Sequence, residues 1–114
     1  MTPDQFRKIA LSLPEAVESQ HMGHPDFRVG GKIFATLGYP DPKWGMVKLP
    51  PEQQARLYEA SPEVFIPVQG VWGKQGATRV RLKGVRAVDL RNALAAAWQH
   101  TAPKKLSKKL TSED

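Results

Sequence analysis

Apolar residues recur along the chain with two different periods, and the changes of period mark out the elements. Phe6, Ile9, Ala10 and Leu13 fall at i, i+3, i+4 and i+7, the stripe of an amphipathic helix. Thr2, Pro3 and Gln5 supply its start: an N-cap hydroxyl, a proline at the first helical position and the closing partner of a capping box. Pro14 stops it. Residues 17 to 22 then read as a short, mostly polar strand. From 26 to 37 the period is two, with Phe27 and Val29 alternating with Asp26 and Arg28, and an extended run from Lys32 to Leu37 after Gly30-Gly31. Two extended runs around Gly-Gly predict a hairpin, because the favoured two-residue turns need positive φ.

Beyond the loop at Gly38 to Lys43, Trp44 to Leu49 is a further strand, ended by Pro50-Pro51. Pro51 and Glu52 suit the first turn of a second helix running to Ala60. Glu63 to Val68 is a strand that Pro67 confines to an edge or a bulge. The glycine-rich segment Gly70 to Gly76, holding Trp72 and Lys74, links it to the next strand. Thr78 to Lys83 alternates cleanly, with Val80 and Leu82 on one face and Arg79, Arg81 and Lys83 on the other. Leu90, Leu94, Ala97 and Trp98 set a last helix. This order predicts an α+β fold: an antiparallel sheet covered by three helices in two layers, with hairpins projecting beyond them. Residues 1–103 form the domain, and the lysine-rich 104–114 is too poor in apolar residues to pack and reads as a disordered tail.

Composition narrows the possibilities. With 114 residues the chain is long enough for one modest core, and with no cysteine it has no disulfide, zinc-finger or thiolate chemistry. No apolar run is long enough to span a membrane, so a cytoplasmic protein is expected. The net charge of +6 is uneven: residues 1–60 balance seven basic against seven acidic side chains, and residues 61–114 carry ten against four. Such asymmetry points to an anionic partner or to a basic tail.

Few residues offer catalytic chemistry. His21, His24 and Asp26 are the one cluster of metal-binding types, but no clear further ligand is evident beside them to complete a site, and His24 before Pro25 suits a turn. Ser12, Ser19 and Ser61 stand in no nucleophile context, Glu15 and Glu18 form no buried dyad, and Gly70 to Gly76 lacks the pattern of a phosphate-binding P-loop. No enzyme and no cofactor are expected.

Gly23 to Leu37, GHPDFRVGGKIFATL, resembles the signature of the MmcQ/YjbR family: a proline, an aromatic two positions on, a Val-Gly-Gly-Lys hairpin and an Ile-Phe-Ala strand. Leu13-Pro14-Glu15, Trp44 to Leu49, Trp72, Ala96-Ala97-Trp98 and Ala102 to Leu106 follow in the order of that family. The resemblance implies a compact α+β fold similar to that of secretion chaperones, in small bacterial cytoplasmic proteins commonly labelled DNA-binding, with two hairpins acting as a double wing. Arg86 departs from the pattern, standing where an acidic or small capping residue is usual, so that helix needs another cap.

The functional expectation is non-specific nucleic-acid binding, with DNA as the partner, by a monomer without a membrane anchor. Arg79, Arg81 and Lys83 would point one way at intervals of about 6.5 to 7 Å, close to the spacing of phosphates along a strand. Lys74 and Arg86 extend that stripe, Lys32 and Arg28 arm the Gly-Gly wing, and Trp72 or Trp44 is available to stack on a base. The competing accounts are a solvated sheet face whose charges discourage strand pairing, and a protein-interaction or small-ligand module using an aromatic sheet face.

Overall fold

The structure, a computed structural model, describes residues 1–106. In chain order it has α1 (Pro3–Leu11), β1 (Val17–His21), β2 (His24–Val29), β3 (Lys32–Leu37), β4 (Trp44–Lys48), α2 (Pro51–Ala60), β5 (Phe65–Pro67), α3 (Val71–Lys74), β6 (Ala77–Arg81) and α4 (Ala87–Thr101). The capping box forms: the Gln5 N–H donates to the Thr2 hydroxyl at 3.1 Å, and the Thr2 N–H donates to the Gln5 side chain at 2.8 Å. Gly30 and Gly31, with φ of 59° and 81°, make the turn between β2 and β3. The α+β architecture is as predicted. It gains one short helix, because the glycine-rich segment winds into α3 on its way from β5 to β6.

One six-stranded sheet has the order β1-β2-β3-β4-β6-β5, every neighbouring pair antiparallel. Proline-bearing β5 is an edge, as its sequence requires. The other edge, β1, is exposed at all five residues, whereas its partner β2 carries Phe27 and Val29 into the core. Helix α4 lies against β3 and β4, and α1 packs on α4. Between helices and sheet lie Phe6, Phe27, Phe34, Val47, Val80, Leu90, Leu94 and Trp98, all buried. Phe6 and Phe27 meet at 5.9 Å between ring centroids, joining α1 to β2. The Trp98 Nε1–H donates to the Pro14 carbonyl at 2.9 Å and ties α4 to the turn after α1.

Packing does not stop at the end of α4. Leu106 packs against the core, and its N–H donates to the Pro103 carbonyl at 2.9 Å. The remainder of the expected tail, 107–114, lies outside the described residues.

Gln54 of α2 is the buried polar joint of the domain. Its Nε2 lies 2.9 Å from the Gly73 carbonyl, 3.0 Å from that of Ala77 and 3.1 Å from the Thr78 hydroxyl, so it fixes α3 and β6 to α2. Both carbonyls also accept a backbone N–H, from Gly76 and Val68 respectively, so losing the amide leaves neither bare. Gln54→Met is therefore expected to cost about 1–2 kcal/mol rather than the full penalty of a buried unpaired group. Urea denaturation measures it, and a loss under about 0.5 kcal/mol would show the joint to be dispensable.

Candidate nucleic-acid interface

On the face of the sheet away from α1 and α4, Asp26, Thr36, Met46 and Arg79 stand side by side as register partners across β2, β3, β4 and β6. They form the floor of a concavity of about 970 Å³. Its margins come from two ends of the sheet. His21, Met22, His24 and Tyr39 rise at the β1–β2 turn and the β3–β4 loop; Lys32, Lys48, Trp72 and the end of α4 at His100 rise at the other. A β-bulge between Phe27 and Arg28 shapes this surface. The extra residue lets Phe34 and Ala35 both face the core while Ile33 and Thr36 face the concavity, and a bulge bends and twists its strand.

Among the described residues four cations line this face, Arg28, Lys32, Lys48 and Arg79, against the single carboxylate of Asp26. That carboxylate is already engaged. The Arg28 Nε and Nη2 donate to its two oxygens at 2.9 and 3.1 Å, and Asp26 itself is 1% exposed. The hydrogen bond to Asp26, with burial opposing it, holds the Arg28 guanidinium above its ordinary range. A raised arginine value keeps the guanidinium charged at every pH below that range, so the donor side of the pair is present throughout physiological pH. Lys32 and Lys48 have no carboxylate partner among the described residues.

The predicted stripe is only partly built. Arg79 and Arg81 do share a face, but they cover Trp44, with guanidinium carbons 5.0 and 4.7 Å from its ring centroid. These cation–π contacts bury Trp44 to 9% exposure and remove it as a stacking platform. The Arg79 Nε is buried without a hydrogen-bond partner among the described residues, and Arg81 donates from Nε to the Glu63 carbonyl at 3.3 Å. Lys83 does not continue the strand, which ends at Arg81; it lies in the turn closed by the Gly84 N–H donating to the Arg81 carbonyl at 3.2 Å. Leu82 N–H still reaches the Lys43 carbonyl at 3.0 Å, one step on in the β4–β6 register, so Lys83 is the first residue beyond the ladder. Arg28 is held by Asp26 rather than free at a wing tip. Arg86 is the N-cap of α4 without a capping hydrogen bond, and it pairs with Asp89 at 3.0 Å. Lys74 is exposed at the end of α3.

Three residues on this face, Lys48, Met46 and Thr36, went unrecognised in the sequence. Lys48 belongs to it only because β4 pairs with β6, and Met46 and Thr36 only because of the register. His24 lies on β2 rather than in a turn, its ring meeting Tyr39 edge-on at 5.6 Å. Among the described residues no three histidine, aspartate or glutamate side chains gather as a metal site.

Comparison with known proteins agrees with this architecture. A crystal structure of a Deinococcus radiodurans protein with a DUF419 domain superposes with a TM-score of 0.78, covering 96% of this chain and 88% of that one at 24% identity. At that identity the likeness is one of fold. No curated protein matches the chain, and no described helix is long and apolar enough to cross a membrane. The YjbR family model matches residues 11–100, from the end of α1 almost to the end of α4, and the chain belongs to the YjbR family.

Proposed function

We propose that the protein is a nucleic-acid-binding module, not an enzyme, and that its interface is the concave sheet face rather than a strand of arginines alone. The supporting observation is the charge of that face: four cations line it, and its one carboxylate is already paired with Arg28. Lys32 and Lys48 are the main phosphate contacts, with Arg79 on the floor and Lys74 and Arg81 outside. Such contacts supply affinity and orientation without reading sequence.

With about four phosphates neutralised, the logarithm of affinity for duplex DNA should fall with that of salt with slope near −3.6, and for a single strand near −2.8. Titrating short oligonucleotides between about 50 and 200 mM salt tests this. Lys32→Ala/Lys48→Ala should reduce the magnitude of the slope by roughly 1.4 to 1.8 and weaken binding at the lower salt by about tenfold or more. No binding at low salt, or a double variant with unchanged slope, overturns the proposal. Exposed Trp72, Tyr39 and Met22 favour a second reading, a protein or small apolar ligand on the same face, whose binding salt would leave unchanged.

A further inference from the structure

We infer that the occupant of the concave face is single-stranded nucleic acid with a base stacked on Trp72, a refinement that rests on the nucleic-acid reading above. The three tryptophans have been given different surroundings. Trp98 is fully buried and Trp44 lies under two arginines, while Trp72 is 71% exposed at the margin of the concavity. An indole left in water beside a cationic hollow suits a ligand that is anionic along its backbone and flat and apolar at its bases.

The mounting of Trp72 supports that role. Its neighbour Gly73 sits so close to β5 that an added Cβ would fall 1.5 Å from the Val68 carbonyl oxygen, and its own carbonyl is held by Gln54. The indole therefore projects from a fixed turn, so little ordering remains to be done on binding. At the opposite margin Tyr39 is 65% exposed and held edge-on by His24, a second aromatic surface across the same floor. Lys48 and Lys32 stand at the Trp72 end, where a phosphate following the stacked base would meet them.

A duplex hides its base faces inside the stack and would touch this hollow only along its rim. A single strand can offer bases to the aromatic margins and phosphates to the lysines together, and every base has a face to stack, so sequence matters little.

Trp72 is the solvent-facing tryptophan, so intrinsic fluorescence reports on it. The full chain is titrated with short single strands, in DNA and RNA form, and with a blunt duplex of equal length. The expected result is quenched emission and at least tenfold tighter binding of a single strand of either sugar than of duplex. Trp72→Ala should lose roughly 5- to 100-fold for single strands, less than about twofold for duplex, with the salt slope unchanged and Trp72→Phe retaining most of the affinity. Equal affinity for both forms together with an unaffected Trp72→Ala overturns the inference while leaving salt-dependent binding intact. Absence of binding by either form overturns the reading beneath it. Displacement of the strand by a polyglutamate of equal charge at equal concentration also overturns the inference, because charge alone would then explain the binding.

Discussion

Trp98→Ala is expected to lower stability by about 4–5 kcal/mol, or roughly 15–25 °C in Tm for a domain of this size. The indole is fully buried among residues of α1, α4 and the sheet, and its Nε1–H bond to the Pro14 carbonyl spans 84 residues of sequence. Removal combines a cavity with loss of the hydrogen bond between that side chain and the turn after α1. Domains of this length have a total stability of about 6–17 kcal/mol, so the variant should be marginal at body temperature. Trp98→Phe separates the two contributions. It keeps most of the apolar volume and loses the donor, and about 1.5–2.5 kcal/mol is expected. A fall in Tm below about 5 °C for the alanine variant would show that the ring is not held as described.

Gly76→Ala should be nearly as damaging. With φ of +110° the residue occupies a region that side chains rarely adopt, and a Cβ would fall 1.8 Å from the Leu49 carbonyl oxygen. That carbonyl belongs to backbone, so no rotamer change relieves the clash. About 3–5 kcal/mol is expected from strain and displacement together. Gly73→Ala meets the Val68 carbonyl in the same way, but at a residue of α3 itself. Even in a folded Gly73→Ala protein the turn carrying Trp72 must move, so single-strand affinity should fall nearly as far as in Trp72→Ala. Calorimetry measures the first effect and fluorescence titration the second. Full affinity in folded Gly73→Ala would show that the position of Trp72 is immaterial.

The elements that were legible from the residues are those with local causes. The capping box, the Gly-Gly turn, the Pro-Pro break and the Val80 alternation are each written within a few residues of one another, and each formed. The candidate site was less legible, because its members meet through strand pairing. Alternation alone correctly puts Arg79 and Arg81 on one face, yet says nothing of Trp44 across the ladder, which takes up both guanidinium groups. Arg28 and Asp26 are two residues apart on a strand and so share a face, which is what lets the carboxylate hold the guanidinium. Lys83 continues the period of the strand, but the chain turns between Arg81 and Gly84. The glycine-rich segment concealed a helix because Gly73 is dictated by the Val68 backbone in space, not by its own sequence neighbours.

The bulge at Phe34 has a wider meaning for comparison among relatives. Beyond it, the β2–β3 hairpin is counted one residue out of phase with the strands it joins. Alignment by basic residues alone would miss this, since lysines can be present on a hairpin that lacks the extra residue. In such a chain Ile33 and Thr36 would still share a face, but the sheet would lie flatter. Whether a relative can cup a ligand is therefore set by one extra residue within a short hairpin, and a one-residue deletion there should weaken binding without removing a single charge.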